Sequence, residues 1–421
     1  MPIKSWHLIT VLVTGSALLV ATQIPVDTWF GTAATSLAAG VAALTLMAAA
    51  ALLGARWSWV ESCFGGLDRV YLVHKWLGVW ALALASFHLV FKAGLPEWET
   101  AAILTLPPAW TRFLRQFSYV GLMFIVLLAL NRNIRYSVWR WWHKLSGPLF
   151  VVVILHWLSF KTPITLASPA GIWLAGWAMI GVVAALYKLL LYPMLSRRAE
   201  YRIIAVSPGA SAVHLQLEPV GHGIDFVPGQ FGFLSIKGHG LREPHPFTIA
   251  AGSGGDGRVD FLIRALGDFT GRLIANAKVG MHAEIQAPFG RFLRRTDAAR
   301  EIWIGGGAGI SPFIAWLKDP AAAGFKKVTL FYFYTPGREF PSVEVMQSMA
   351  DERGAELVAV AGGPTDPSFV DRFARICGEG DPGGIDVAFC GPKSLLPHVR
   401  ARMQDYGLPA ANLRHEYFEF R

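Results

Sequence analysis

The sequence predicts a membrane α-helical bundle of six transmembrane helices, followed by an antiparallel β-barrel and an α/β doubly wound domain. Long apolar runs fill the first 198 residues, and short alternating strands punctuated by glycine and proline follow them. From Glu301, short apolar strands alternate with helical segments. These patterns are typical of membrane spans, a small barrel and a parallel sheet, respectively. We expect domains at 1–198, 199–297 and 298–421.

The composition supports a membrane location for part of the chain. With 421 residues, 53% hydrophobic and 16% charged, the chain is too long for one small domain and too apolar for a wholly soluble protein. The basic excess lies in residues 1–198, which hold 15 Lys and Arg against 5 Asp and Glu. Nucleic-acid binding would place positive charge on a soluble face, so we exclude it. The cysteines Cys63, Cys377 and Cys390 provide neither a disulfide framework nor a metal-ligand spacing.

Six apolar runs are each close to the roughly 20 residues that span a bilayer. They lie near 6–24, 31–54, 70–95, 112–130, 137–160 and 169–192. With six spans, most basic residues fall on one face, and only Lys92, Arg112, Arg115 and Lys161 fall on the other. The positive-inside bias then predicts that the amino terminus and the soluble half are both cytoplasmic.

Two apolar stretches each carry two histidines. His74 and His88 are 14 positions apart, which leaves them about 40° apart around a helix and about 21 Å apart along it, so both face the same way. His143 and His156 are 13 positions apart, which would rotate the second ring by about 140° in an ideal helix. We expect a kink at Gly147-Pro148 to absorb this rotation.

These histidines predict two haem sites. Helices three and five both begin at the cytoplasmic face, so His74 should pair with His143 on the inner side and His88 with His156 on the outer side. Neutral imidazole is a good axial ligand for haem iron. Ionisable groups at membrane depth are costly, and two matched pairs favour a function over stray buried polar residues. We expect two b-type haems with about 20 Å between the irons. His7 has no partner at matching depth and is interpreted as interfacial.

Three motifs mark the barrel. Pro228-Gly229-Gln230-Phe231 is a turn that leads into a strand. The next strand ends with His245, Pro246, Phe247 and Thr248. Between Arg264 and Thr270, an arginine, backbone amides near Gly267 and the threonine hydroxyl could hold a pyrophosphate. Together these motifs resemble the FAD-binding domain of the ferredoxin-reductase superfamily.

The run EIWIGGGAGISPFIAWL predicts a strand, a glycine-rich turn and a helix. Glycines there let backbone amides approach a pyrophosphate at the helix amino terminus. The turn departs from G-x-G-x-x-G because Ile310 stands in the place of the third glycine. KVTLFYFY, AELVAV and IDVAFC predict buried parallel strands separated by helices.

The whole chain resembles a bacterial member of the NADPH oxidase and ferric reductase superfamily. The resemblance implies that the motif from His245 to Thr248, typical of the oxidase branch, contacts the flavin. It implies that the nicotinamide nucleotide's pyrophosphate binds a turn made of Gly305, Gly306, Gly307, Gly309 and Pro312. It also implies that Cys390, Gly391 and Pro392 lie beside the nicotinamide. A terminal aromatic, Phe418 or Phe420, would shield the flavin, and we choose Phe418 with Cys390 as the catalytic residues.

Arg338 bears on the choice of nucleotide. It follows the strand KVTLFYFY, and the loop after the second strand of such a sheet commonly meets the adenosine ribose. An arginine there favours a 2′-phosphate, so we prefer NADPH over NADH. The alternative is an arginine on a solvated turn.

The resemblance implies a transmembrane oxidoreductase of the bacterial inner membrane that moves electrons from cytoplasmic NADPH to an acceptor outside. A nicotinamide delivers two electrons as hydride and a haem accepts one at a time, so FAD is required between them. Three functions remain open: a superoxide-generating NADPH oxidase, a ferric-chelate reductase and a haem-carrying subunit that passes electrons to a partner protein. We choose dioxygen as acceptor on motif likeness. Because the flavin and nicotinamide sites share the chain, the sequence does not require a protein partner.

Overall fold

The computed structural model describes residues 3–238 and 240–416, which form two compact units. The first unit ends at Ser196 and is helical. The second begins at Arg197 and contains two β-sheets. The change from helices to strands therefore occurs at the adjacent arginines Arg197 and Arg198, where the sequence pattern also changes.

The first unit contains α-helices at each of the six predicted positions. Their bounds are Ser5–Ala21 (α1), Thr32–Gly54 (α2), Ser58–Phe64 (α3), Leu67–Val90 (α4), Pro108–Leu130 (α5), Tyr136–His143 (α6), Ser146–Ser159 (α7), Pro169–Leu186 (α8) and, after a π-helical turn at Tyr187–Leu191, Tyr192–Leu195 (α9). Among the residues that the structure describes, four segments are long and apolar enough to cross a bilayer: α2, α4, α5 and the continuous run Pro169–Leu195. The remaining two positions are occupied by α1, with 17 residues, and by α6 with α7, of which α7 has 14.

The predicted fifth span is interrupted between its two histidines. Helix α6 ends at His143, and α7 begins at Ser146. Pro148 has no N–H to donate to the carbonyl of Lys144, four residues earlier, so one helical hydrogen bond is missing where the two helices are separated. The break therefore lies just before the predicted kink at Gly147-Pro148 and between the two histidines.

Helix α2 lies at the centre of this unit. It contacts α1, α4, α7 and α8, and most of its residues are buried. Its sequence, TAATSLAAGVAALTLMAAAALLG, is rich in alanine and glycine. Small side chains let membrane helices approach closely, and helix association in lipid depends on such packing. The backbone of α2 is consequently within reach of side chains on its neighbours.

The second unit begins with an antiparallel barrel that is nearly closed. Its elements are Arg198–Pro208 (β1), Ala212–Pro219 (β2), Phe231–Ile236 (β3), His245–Thr248 (β4), Val259–Arg264 (β5), Asp268–Asn276 (α10) and His282–Phe289 (β6). The strands pair in the order β4-β3-β6-β1-β2-β5. A bridge between Ile249, just after β4, and Phe261 in β5 joins the two edges of the sheet. Tyr201, Leu215 and Phe261 are among the buried residues of its core.

A parallel five-stranded sheet follows the barrel. Its elements are Arg300–Gly306 (β7), Ser311–Lys318 (α11), Val328–Phe333 (β8), Val343–Arg353 (α12), Glu356–Val360 (β9), Pro367–Gly378 (α13), Ile385–Cys390 (β10), Leu396–Asp405 (α14) and Leu413–His415 (β11). The strand order is β11-β10-β7-β8-β9. The chain moves outward from β7 to β9 and then returns to the other side of β7. The order therefore reverses between β7 and β10, which is where open α/β sheets bind ligands.

A buried ion pair anchors the connection between the barrel and the sheet. Arg294, in the connection, donates to both carboxylate oxygens of Glu301 at 3.0 Å, and Trp303 Nε1 donates to one of them at 3.1 Å. The Glu301 side chain is fully buried, and Lys327 Nζ lies 3.6 Å from it. The Arg294 guanidinium also lies 4.2 Å from the ring centre of Phe325. These contacts together compensate for removing the two charges from water.

We expect Glu301→Ala to destabilise the second unit by about 3–5 kcal/mol, because it leaves a buried guanidinium unpaired. Asp256→Ala is a matched control, since it removes an ion pair with Arg258 in which the side chains are 59% and 60% exposed. Such a pair is worth at most about 1 kcal/mol. Pulse proteolysis in urea measures both changes, and equal destabilisation of the two variants would contradict the role of Glu301.

Candidate functional sites

The structure brings the four histidines together in two pairs. The ring centres of His74 in α4 and His143 at the end of α6 are 5.9 Å apart, with an interplanar angle of 71°. Those of His88 in α4 and His156 in α7 are 6.5 Å apart, with an angle of 72°. These are the pairs that matching depth in the bundle predicts. Their role as metal ligands stays a prediction.

The separation of the rings fits one metal ion between each pair. A metal–imidazole bond of about 2.0–2.1 Å places the ring centres of two opposed imidazoles roughly 6.3 Å apart. The observed separations lie on either side of that value. Two imidazole nitrogens on opposite sides are also the donor set that a six-coordinate haem takes from a protein. Both pairs therefore fit a bis-histidine haem.

Hydrogen bonds fix the rings of α4. His74 Nδ1 lies 2.8 Å from the carbonyl oxygen of Ala50, and His88 Nδ1 lies 2.8 Å from that of Ser36. A carbonyl only accepts, so each Nδ1 carries the proton and each Nε2 keeps its lone pair. In contrast, Nδ1 of His143 and Nδ1 of His156 are buried without a hydrogen-bond partner in the described part of the chain. Each pair thus combines one supported imidazole with one unsupported imidazole.

Sequence reasoning missed the residues of α2 that surround these rings. Ser36 and Ala50 supply the two carbonyls. Gly40 and Gly54 lie against the same imidazoles, since the nearest side-chain atoms to a Cβ built on them belong to His88 and His74. Both sets repeat at 14 positions, the interval that separates the two histidines of α4. This shared interval of 14 positions was the sequence signal that could have identified the residues of α2 next to the histidines.

The predicted flavin residues lie along one part of the barrel. The motif His245, Pro246, Phe247 and Thr248 forms β4, which pairs with β3 from Phe231 to Leu234. The His245 ring stacks on Phe269 of α10, with ring centres 3.8 Å apart. Arg264 ends β5, and Gly267 precedes α10. The structure therefore connects the predicted motif in β4 to the segment predicted to hold a pyrophosphate.

The hydroxyl of Thr270 makes hydrogen bonds at the start of α10. Its Oγ1 accepts from the N–H groups of Leu266 at 2.9 Å and Gly267 at 3.0 Å, and it donates to the Gly267 carbonyl at 3.1 Å. These bonds satisfy groups that a helix start leaves unpaired. Thr270 thus stabilises the turn, and its contact with a pyrophosphate stays a prediction.

The glycine-rich turn lies where the strand order of the parallel sheet reverses. Gly305, at the end of β7, is paired with Cys390 of β10. A Cβ on Gly306 would come within 2.7 Å of Pro392, and one on Gly309 would collide with the Cys390 carbonyl. The structure thus brings the predicted nucleotide turn into direct contact with the Cys-Gly-Pro motif, and only glycine permits this approach. Gly391 N and Cα lie in the same contact.

Gly307 and Arg264 connect this turn to the barrel. Gly307 has a φ of 56°, a left-handed conformation that favours glycine. A Cβ there would lie 2.6 Å from Arg264 Nη1, so the guanidinium is packed on the turn. Pro312 lies in the first turn of α11, where its missing N–H has no helical partner to lose. The arginine predicted for the flavin pyrophosphate is therefore a neighbour of the turn predicted for the nicotinamide nucleotide.

Cys390 is fully buried at this point. Burial raises the pKa of its thiol well above the usual value, and the nearby Glu416 carboxylate adds to the shift. The thiol consequently stays protonated near neutral pH and acts as a neutral group, not as a thiolate nucleophile. Glu416 was not among the predicted residues. Phe418 and Phe420 lie outside the described residues.

A buried tyrosine holds the loop that carries Arg338. Tyr332 Oη accepts from the Phe340 N–H at 3.1 Å and donates to the Pro341 carbonyl at 2.9 Å. Burial raises the pKa of Tyr332 to about 12, so the phenol remains a donor across the physiological range. Arg338 itself is exposed, in the loop that follows β8. Its contact with a nucleotide stays a prediction.

Comparison with known families matches both units. Residues 39–154 match the ferric reductase like transmembrane component, and residues 201–293 match the oxidoreductase FAD-binding domain. The first match includes α4 and three of the four paired histidines. The fourth, His156, lies two residues after the end of the match. The second match covers almost all of the barrel.

Curated relatives and solved structures match over different parts of the chain. The reductase component of propane 2-monooxygenase from Rhodococcus jostii is 28% identical over 49% of this chain and 59% of its own length. The ferredoxin–NAD(+) reductase component of the alkene monooxygenase system from Xanthobacter autotrophicus is 28% identical over 52% of this chain and 70% of its own. The flavohemoglobin from Malassezia yamatoensis covers 96% of this chain and 98% of its own, with a TM-score of 0.51 and 17% identity, a likeness of fold alone.

Proposed function

Because the chain combines a ferric reductase-like transmembrane domain with a FAD-binding domain of the ferredoxin-reductase type, we propose that it is a transmembrane flavocytochrome. It oxidises cytoplasmic NADPH and delivers electrons through FAD and two b-type haems to an acceptor on the other side of the membrane. The observation that carries this proposal is the presence of two histidine pairs in the helical unit, with ring centres 5.9 and 6.5 Å apart. The same chain also contains a FAD-binding domain.

We assign residues 1–198 to a six-span haem domain, 199–297 to the FAD barrel and 298–421 to the nucleotide domain. Within the described residues, four long apolar segments account for four of these spans. Helix α1, at 17 residues, is at the lower limit of about 17–25 residues for a span. The fifth span is proposed to run through α6 and α7 despite the interruption between them. The resemblance favours a bacterial inner membrane, and the distribution of basic residues favours a cytoplasmic location for the amino terminus and the soluble half.

In this proposal, His74 and His143 bind the inner haem, and His88 and His156 bind the outer haem. The carbonyls of α2 hold Nδ1–H of the two α4 imidazoles, so that their Nε2 lone pairs remain available to iron. When bound, FAD would take up a hydride equivalent from the nicotinamide, and FAD and haem together would divide the pair into single electrons.

The second unit positions the nucleotides. The backbone amides of the turn from Gly305 to Gly309 bind the NADPH pyrophosphate, and Arg338 binds the 2′-phosphate. Strand β4 and Arg264 bind FAD. The protonated Cys390 lies at the reversal of strand order, where it excludes water from the nicotinamide without adding charge. Phe418 is proposed to cover the flavin.

We propose dioxygen as the acceptor and superoxide as the product. Bis-histidine ligation leaves no open coordination position, which favours a small acceptor reduced at the haem edge. A ferric-chelate reductase has the same architecture. A partner protein is a second candidate, because the curated relatives are reductase components of monooxygenase systems.

We expect the purified protein to contain two b-type haems, and His→Ala at any of His74, His88, His143 or His156 to remove one. Each substitution deletes one axial donor of a single pair. His7→Ala, in α1, is the matched control and should retain both haems. A pyridine haemochrome assay with haem supplied in excess measures the ratio, and one haem or none in the wild type would defeat the proposal.

We expect Arg338→Ala to lower the ratio of kcat/KM for NADPH to that for NADH by at least about tenfold, since a hydrogen bond to a charged group is worth about 1.5–3 kcal/mol. Arg258→Ala changes an exposed arginine of the barrel and should leave the ratio unchanged. Steady-state kinetics with both nucleotides test this, and an unchanged ratio in Arg338→Ala would refute the assignment.

We expect FAD-loaded enzyme with NADPH to reduce cytochrome c in air through superoxide, so that superoxide dismutase suppresses the signal. Ferric-chelate reduction under argon should be slower. Rapid anaerobic ferric turnover without a dismutase-sensitive signal would identify a ferric reductase instead. Slow turnover with both acceptors would favour a partner protein.

A further inference from the structure

Helix α2 contains no histidine, yet it contacts both imidazoles of α4. The carbonyl of Ser36 faces His88 Nδ1, and that of Ala50 faces His74 Nδ1, each at 2.8 Å. The two carbonyls are 14 positions apart in α2, as the two histidines are in α4. The order of the contacts shows that the helices run antiparallel, so one helix offers an equivalent acceptor to each ring.

A glycine follows each acceptor carbonyl by one helical turn. In an α-helix the Cα–Cβ bond tilts toward the amino terminus, so the side chain at position i+4 covers the turn that contains the carbonyl of residue i. Gly40 stands in that position relative to Ser36, and Gly54 relative to Ala50. At both positions, α2 has no Cβ facing the neighbouring imidazole.

The two glycines are not equally constrained. A Cβ on Gly40 would lie 2.8 Å from His88 Nδ1 and 2.9 Å from Cε1, closer than real Cβ contacts occur. A Cβ on Gly54 would lie 3.7 Å from His74 Cε1, which is an ordinary van der Waals contact. Position 40 therefore leaves no room for a side chain beside His88, whereas position 54 leaves room for a methyl group beside His74.

The buried hydroxyl of Ser36 adds a second difference. Its Oγ lies 3.4 Å from His88 Nδ1 and donates to the Phe91 carbonyl, at the end of α4, at 2.7 Å. Ala50 has no hydroxyl at the equivalent place. Ser36 thus joins the ring of His88 to the helix end next to it.

We propose that α2 positions both α4 ligands and that Gly40 and Ser36 set the electronic environment of the outer haem alone. This inference rests on the proposed haem ligation. A hydrogen bond from Nδ1–H to a carbonyl orients the ring and raises the basicity of the ligating nitrogen. A more basic ligating nitrogen stabilises ferric iron. The contact between the Ser36 carbonyl and His88 Nδ1 therefore lowers the midpoint potential of the outer haem. Gly40 and Ser36 are positioning residues that act through His88.

The test compares Gly40→Ala with Gly54→Ala, which make the same change at equivalent positions. Redox titrations followed by optical and electron paramagnetic resonance spectra resolve the two haems, and His74→Ala and His88→Ala assign the signals. Gly40→Ala should raise the midpoint potential of the outer haem or reduce the stoichiometry from two haems to one, with the inner signal unchanged. Gly54→Ala should retain both wild-type signals. Gly176→Ala, in α8 and without a neighbour within 4 Å, controls for a methyl group added to a helix.

If Gly40→Ala does not fold, Ser36→Ala tests whether these residues of α2 affect the outer haem alone. It keeps the carbonyl and removes only the hydroxyl, so the outer haem should be retained with a shifted signal and the inner haem should be unaffected. Wild-type potentials for both haems in Gly40→Ala, or in Ser36→Ala if that variant alone can be purified, would overturn the inference. An inner haem disturbed as strongly by Gly54→Ala would also overturn it. Fewer than two haems in the wild type would instead refute the proposed function on which it rests.

Discussion

The helical unit depends on satisfying imidazole N–H groups inside an apolar bundle. A bilayer offers no water to such groups, so a hydrogen-bond partner within the protein lowers the cost of burying them. Helix α2 supplies that partner to both histidines of α4 from its backbone. The small residues of α2 allow this close approach, most strictly at Gly40, where a Cβ would lie 2.8 Å from His88 Nδ1. The orientation of the two rings therefore depends on how closely α2 packs against α4.

The second unit brings together two segments that are predicted to bind nucleotides. The reversal of strand order between β7 and β10 places the glycine turn beside the Cys-Gly-Pro motif. Arg264 reaches the turn from the barrel through the space that Gly307 leaves. The buried pair of Arg294 and Glu301 anchors the connection between the barrel and the parallel sheet. Polar groups at these positions order the chain where the apolar cores of the two sheets meet.

Much of the fold could be predicted because its signals are periodic. Apolar length identified the helical half, alternation identified the barrel, and the motifs identified the resemblance that the two family matches confirm. The antiparallel barrel and the α/β domain are also confirmed. The number of spans was harder to predict, since the helix through His143 breaks earlier than the Gly-Pro pair and leaves short segments.

The surroundings of the histidines could not be predicted in the same way. Every residue has a backbone carbonyl, so the residue types of Ser36 and Ala50 do not identify them as hydrogen-bond acceptors. Only the recurrence of glycine at Gly40 and Gly54 carried information. Thr270 was identified from the sequence, but its role could not be assigned. A hydroxyl can bind a phosphate or hydrogen-bond the start of a helix, and in the structure Thr270 does the second.

The matched interval in α2 and α4 also restricts how this domain can change in length. Inserting one residue between Ser36 and Ala50 would turn the two carbonyls about 100° and shift them about 1.5 Å relative to one another. One of the two imidazoles would then lose its acceptor, whichever end of α2 kept its register. Substitutions that preserve small size can accumulate along this helix, whereas insertions and deletions are tolerated only in the loops outside it. Across diverging sequences, the distance between these two turns should therefore be more constant than the residues that lie between them.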